Sequence, residues 1–588
     1  SYAQRRQWFL WELDRASTAY HIAGGLRLQG EVNLDALQGS FAALVSRHES
    51  LRTVFLADEQ GLARQHIQAQ GKPAFELIDL SGTPAEESEA RARAAAERLH
   101  STPFDLSQGP LLRIGLIRLS AREHLLIVVM HHIISDGWSM QILVDEFVAH
   151  YRAAVEGRQA HLPPPAIQYA DYAQWQRQWL EAGEKARQLD YWQTQLGTEH
   201  PLLHLPTDRP RRADGRYSAA RWTVSVPERL THTLRKLAQL ENTTVFVTLL
   251  AGLQALLHRY TGQEDIRIGV PIANRHRIET ESVIGFFVNT QVLRNCIGSR
   301  DRLADVLARS REAALGAQTH QDLPFEHLVE ALQPERSLGT TPLFQVMFNH
   351  LKHDARALHS LPGLTLQAYE LGAKAAQFEL TVEALEQAGG GLKLSFIYAR
   401  ELFDPAKVAR LAGHYLALLE ALAEAPGQAL SDVPLLSAAE REQLKGWSEN
   451  GAPPASAAPI HRLIEAQAAA HPDAVAVIFG EAQLNYGELN RRANQLAHHL
   501  TGLGVGPEVK VGIAVERSLD MVVGLLAILK AGGAYVPLDP EYPAERLGYM
   551  MEDSGIGLLL TQRALRALLP LPSGLTVLEL DTLALTAE

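Results

Sequence analysis

The stretch EHLLIVVMHHIISDGWSM, residues 123–140, sets the tightest limit on what this chain can fold into. Six consecutive apolar residues, Leu125–Met130, leave no polar face, so the run predicts a strand covered on both sides. That strand ends at His131 and His132, and Asp136-Gly137 supplies a turn. Beyond the turn, Met140, Leu143, Val144, Phe147 and Tyr151 recur on one helical face. The histidine pair therefore lies on a strand-to-helix connection. In extended backbone neighbouring side chains point to opposite faces, so the two imidazoles do not address one site. This geometry weighs against a metal site built from both histidines and Asp136. Two readings stay open from these residues alone. One is a hydrogen-bonded core pair beside a turn. The other has one histidine facing a channel and its neighbour facing the fold, with Asp136 holding the turn and Gly137 letting a substrate approach the backbone.

At 588 residues the chain is too long for one core, and a prior of about one unit per ~150 residues gives about four. Apolar residues make up 46% and charged residues 21%, a balance suited to a packed globular chain. The net charge of −12 is spread without long runs, so no basic stripe points to a nucleic-acid partner. Cys296 is the one cysteine, which excludes an internal disulfide framework and any cysteine-rich zinc site and suits a reducing compartment. The longest apolar stretch, MVVGLLAILKAGGAYVPL from Met521, is broken by Lys530 and glycines before the ~18 residues a membrane span needs. With no signal peptide in view, the expectation is a cytoplasmic protein that does not enter a membrane.

Mixed α and β signals run throughout. NLDALQGSFAALVSRHESL from Asn33 has helical spacing, and LLRIGLIRLS from Leu111 with EHLLIVVM predicts a hairpin. A second α/β stretch opens near Tyr191, with a helix from Asn242 and strands IRIGVPI from Ile266 and PLFQVMFNH from Pro342. The proline-rich passage from His161 separates the two, and GWSENGAPPASAAPIHRLI from Gly446 has linker composition. The predicted organisation is a first lobe at 1–175, a second at 176–445, a linker at 446–456 and a further region at 457–588.

HHIISDG matches the HHxxxDG signature of the superfamily that includes chloramphenicol acetyltransferase and the condensation domains of nonribosomal peptide synthetases. Five other stretches, SYAQRRQWFL at Ser1, RHESLRTVF at Arg47, YADYAQW at Tyr169, IGFFVNTQVLR at Ile284 and HQDLPFE at His320, resemble further condensation-domain motifs in their order. ERSLGTTPLFQVMF from Glu335 resembles a seventh more loosely. LNYGELNRRANQLAHHL from Leu484 and LKAGGAYVPLDPEYPAERL from Leu529 resemble the first two motifs of an adenylation domain. The resemblance implies an α/β fold of two chloramphenicol acetyltransferase-like lobes forming a V around a central channel, followed by part of an adenylation subdomain.

It also implies a reaction, amide-bond formation between a donor thioester and the amine of an aminoacyl acceptor, each on a carrier domain. No cofactor is then bound directly, because 4'-phosphopantetheine arms arrive on upstream donor and downstream acceptor carrier domains. The resemblance also implies an adenylation domain in the same chain. An α-amine with pKa near ~7.7–8.0 is partly neutral already, so positioning carries much of the rate and an imidazole handles the proton. The resemblance gives that role to His132, turns His131 toward its lobe, and makes Asp136 a structural partner of an arginine from the other lobe. Arg275 is the first candidate and Arg277 the alternative. Trp138 and Phe287 are candidates for lining the channel or for packing in the core.

An epimerization domain shares the signature, but an adenylation start directly follows this region. A heterocyclization domain carries aspartates where this chain has histidines. A starter domain loading a fatty acyl group and a dual epimerization/condensation domain remain as alternatives. A catalytically idle docking scaffold is expected to lose His132, Asp136 or Gly137, and all three are present. The residues joined, and whether the donor is L or D, are not legible here. Between Ala531 and Glu588 the glycines are scattered, so no phosphate-wrapping loop is predicted.

Overall fold

In a computed structural model the described residues are 1–212, 215–333, 341–352, 361–371, 375–387, 389–449 and 458–584. The chain divides into two compact units, Ser1–Gln443 and Leu444–Glu588.

The first unit holds two sheets. The opening part runs α1 (Tyr2–Leu13), β1 (His21–Gly30), α2 (Leu34–Arg47), the hairpin β2 (Thr53–Ala57) and β3 (Ala63–Ile67), β4 (Ala74–Asp79), α3 (Ala85–Ser101), β5 (Leu112–Ser120), β6 (Glu123–His131) and α4 (Gly137–Val155). The chain continues through α5 (Tyr169–Trp179), α6 (Lys185–Leu196), β7 (Tyr217–Val226), α7 (Glu228–Leu240), α8 (Val245–Thr261), β8 (Asp265–Ile272), β9 (Asn289–Cys296), α9 (Leu303–Thr319) and α10 (Phe325–Leu332). It closes with β10 (Val346–Lys352), β11 (Leu364–Ala368), β12 (Ala375–Ala376), β13 (Leu380–Glu386), β14 (Leu392–Ala399), α11 (Pro405–Glu424) and the start of α12 (Ala438–Ser448).

The first sheet has the order β11-β1-β6-β5-β4, and the second β12-β7-β14-β13-β10-β8-β9. Strand β6 sits at the centre of the first sheet, antiparallel to both β1 and β5. Leu125–Met130 are each at most 8% exposed, which explains why the run has no polar face. Burying each such side chain contributes roughly 1.5–3 kcal/mol, so this strand anchors the position of whatever follows it.

Two features differ from the predicted organisation. The lobe boundary drawn at 175/176 falls inside α5. Strand β11 pairs with β1, so chain from well beyond that boundary completes the first sheet. Strand pairing is a long-range choice that local sequence does not record. The linker expected at 446–456 begins within α12, and residues 450–456 lie outside those described. The first six residues of the loosely matching motif from Glu335, 335–340, also lie outside the described residues.

In the second unit a four-stranded parallel sheet forms from Lys510–Ala514, Ala534–Pro537, Leu558–Thr561 and Thr576–Glu579. The stretch LNYGELNRRANQLAHHL supplies a helix, Tyr486–Gly502, capped by Asn485. Among the described residues no single helix is long and apolar enough to cross a membrane.

Candidate active site

Strand β6 ends at His131, a single 3-10 turn carries His132–Ile134, and Asp136 caps α4 by accepting from the Ser139 N–H at 2.8 Å. The two histidines part company at this turn. His131 is 4% exposed, and its Nδ1 accepts from the Ile133 N–H at 3.1 Å. Its ring lies near His21 and Phe104, at 6.1 and 6.4 Å. Burial pushes its pKa down to about 3, with the His21 and His132 imidazoles adding to the effect.

His132 instead borders a cavity of about 450 Å³. Its backbone N–H donates to Tyr20 at 2.8 Å, and its Nδ1 lies 2.9 Å from the Ser135 carbonyl oxygen. That oxygen can only accept, so Nδ1 carries the hydrogen and Nε2 keeps a lone pair. Among the described residues no protein group bonds Nε2. Burial lowers the imidazole pKa, opposed by the Asp136 carboxylate and the Ser135 hydrogen bond, so the ring is neutral near pH 7.

Asp136 is fully buried and does not face the cavity. Its Oδ1 also accepts from the Ser139 hydroxyl at 2.7 Å and from Arg275 at 3.1 Å, and its Oδ2 from the Phe287 N–H at 3.0 Å. Arg275 in turn donates to the Thr280 and Val283 carbonyls, which folds the loop after β8 around the guanidinium. The carboxylate thus ties α4 to the loop that leads into β9. Arg277, the alternative partner, lies over the Trp175 ring at 4.2 Å.

Two expectations need correction. Trp138 is 46% exposed, does not line the cavity, and donates its indole N–H to the Glu281 carbonyl. It follows the helix start directly, which turns it outward rather than into core or channel. Gly137 has no left-handed backbone, and a Cβ there meets no protein atom within 4 Å. As the first residue of α4 it adopts ordinary helical entry, so neither strain nor crowding by the fold accounts for the glycine. Nor does it line the cavity. Phe287 proves to be both wall and core: it borders the cavity while being 2% exposed, under the Arg275 guanidinium at 4.0 Å.

Several residues of the site escape a reading of the sequence. His21 borders the cavity from β1, opposite His131 in the sheet register, with Nδ1 at 2.7 Å from the His100 carbonyl. Asn349, Thr381 and Glu383 border it from the second sheet. They sit in strands separated by long stretches of sequence, so only alternation with buried neighbours hints at them. Among the described residues no group of three histidine, cysteine or acidic side chains is placed to hold a metal ion.

The arrangement defines a class: a chloramphenicol acetyltransferase-like α/β fold with a neutral imidazole set at a cavity walled by both sheets. Residues 1–445 match the condensation domain family, to which this chain belongs, and residues 464–586 match the AMP-binding enzyme family. The chain is 46% identical to a linear gramicidin synthase of Brevibacillus parabrevis over 100% of its own length but spans 11% of that protein. A solved four-domain nonribosomal peptide synthetase bound to AMP and glycine shares the fold, with a TM-score of 0.78 and 23% identity, covering 99% of this chain and 44% of that one. The first condensation domain of the calcium-dependent antibiotic synthetase, solved with a substrate analogue, gives a TM-score of 0.60 at 22% identity over 74% of this chain and 98% of that one. This is a nonribosomal peptide synthetase condensation domain followed by the N-terminal part of an adenylation domain.

Proposed function

We propose that the first unit joins the amine of a carrier-bound aminoacyl acceptor to the acyl group of a carrier-bound donor thioester, with His132 at the reacting atoms. The observation that carries this reading is the neutral His132 imidazole, with Nδ1 engaged by Ser135 and an Nε2 lone pair beside a cavity large enough for two substrate ends. The thioester is already activated, and an α-amine with pKa near ~7.7–8.0 needs little help to become a nucleophile. Attack forms the C–N bond and leaves a positive charge on nitrogen. His132 orients the amine and accepts that proton, the C–S bond breaks, and the proton passes to the departing thiolate. Asp136 and Arg275 act at one remove, holding the turn and the β8–β9 loop in register. Carrier domains deliver both substrates on 4'-phosphopantetheine arms, and no cofactor is held by this chain.

The test is a single-turnover assay with chemically loaded carriers and product mass spectrometry, offering L-aminoacyl, D-aminoacyl and fatty acyl donors. An amide product with an L donor supports the reading. Product only with the fatty acyl donor makes this a starter domain, and inversion of an L donor makes it a dual domain. No amide with any donor overturns the reaction.

A further inference from the structure

The second sheet turns one face toward the cavity. Strands β10 and β13 run parallel, with Met347 opposite Thr381 and Asn349 opposite Glu383, and β14 places Ile397 beside Thr381. All five border the cavity. The alternating residues Phe348, Val382, Ala384 and Phe396 are 0% exposed, so they fix the register and leave the first set no choice of face. Three of the five are polar. Among the described residues no hydrogen bond satisfies the Asn349 side chain, the Thr381 hydroxyl or Oε1 of Glu383. The one protein cation near Glu383 among them is Arg221, 3.2 Å from Oε2 and 48% exposed at its side chain, a pairing that water weakens. Burial pushes the Glu383 carboxyl pKa up, the mark of a carboxylate short of favourable contacts.

The composition of this wall is graded along the strands. Thr381 lies level with the apolar Met347 and Ile397, Phe378 precedes them on the chain, and two residues further along β10 and β13 the paired Asn349 and Glu383 set an amide oxygen and a carboxylate side by side, next to the Thr381 hydroxyl. Three acceptors match the three N–H donors of an ammonium, and the apolar stretch matches an aliphatic stem. The reacting α-amine does not fit here, since a carboxylate favours the protonated form and a protonated amine cannot attack. We propose that Glu383, with Asn349 and Thr381, binds the side-chain ammonium of a carrier-bound basic amino acid, so that this wall selects a lysine- or ornithine-like substrate. The proposal rests on the condensation reading above.

Two measurements on the 588-residue chain test it. In the first, binding of lysyl-pantetheine and norleucyl-pantetheine amides is compared by calorimetry in the wild type and in Glu383→Gln, whose side chain has nearly the same shape. In the second, single-turnover rates are compared with lysyl and norleucyl carriers, placed first as donor and then as acceptor. The expected result is a lysine-to-norleucine ratio of about tenfold or more in the wild type, in binding and in one of the two substrate positions, falling to near one in the variant. A wild-type ratio near one, or a high ratio that survives Glu383→Gln, overturns the proposal. If the variant loses both substrates equally, Glu383 acts on the common α-amine and the side-chain assignment is wrong. Discrimination in binding without amide formation from any carrier pair upholds the basic-side-chain site and overturns the condensation reading alone.

Discussion

At the scale of single residues, two adjacent histidines take opposite parts because the strand ends between them. His131 keeps the last strand position and faces the fold, while the first residue of the 3-10 turn, His132, reaches the cavity. His131 makes acid stability testable. Its folded pKa of about 3 lies below the ordinary value of 6.5, so below pH ~6.5 the unfolded chain binds a proton that the native state refuses. Stability is complete above that pH and falls as pH drops toward 3, by up to about 1.4 kcal/mol for each pH unit. His131→Asn keeps an acceptor for the Ile133 N–H but removes the titration. Its melting temperature is expected to fall less than that of the wild type between pH 7.5 and 5, and parallel losses contradict the assignment. Asp136 and Arg275 belong to the same scale. Breaking a buried pair costs about 3–5 kcal/mol because a charge is stranded, so Asp136→Asn and Arg275→Ala are each destabilising. Their double-mutant cycle, read by denaturant unfolding, is expected to show coupling well above the ~0.5 kcal/mol of independent sites. Additive losses contradict the pairing.

At the scale of elements, two glycines in the matched motifs behave differently. In IGFFVNT, a Cβ on Gly285 stands 1.9 Å from Cδ2 of Tyr169, whose ring is 1% exposed and whose hydroxyl is bonded to the Phe286 carbonyl and to Ser1. Gly285→Ala is therefore expected to lose about 1–3 kcal/mol, and an unchanged melting curve contradicts the packing. Gly137, with open space around it on a helix, predicts a gain of up to about 1 kcal/mol on change to alanine, through reduced backbone freedom of the unfolded chain. Local signals report such elements well. The apolar run marks β6, the spacing after Gly137 marks α4, and Asn33 caps α2 where the periodicity starts. What local signals do not carry is pairing between distant segments. Nothing in Leu364–Ala368 says that it will extend the first sheet beside β1, and nothing in YHIAGG says that His21 will stand across from His131. The Asp136–Arg275 contact follows from family resemblance alone, since 139 residues separate its partners. The outward turn of Trp138 and the ordinary backbone of Gly137 depend on where one helix starts, a matter of single residues that periodicity does not resolve.

At the scale of the whole chain, each unit has its own cores and its own expected behaviour. The second unit carries a parallel sheet; after Ala531, Gly532 and Gly533 sit together in the turn before Ala534–Pro537 and Gly548, Gly555, Gly557 and Gly574 stand apart, with no run of glycine and hydroxyl residues to wrap a triphosphate. The first unit brings both sheets to one cavity and sets a neutral imidazole at its border, so the central claim is that this imidazole serves amide formation. The most direct test is the single-turnover rate of His132→Ala against the wild type with the same loaded donor and acceptor carriers, alongside both melting curves. The account predicts a rate lower by roughly 10² or more with the fold retained. Condensation at the wild-type rate in a folded His132→Ala protein would contradict it.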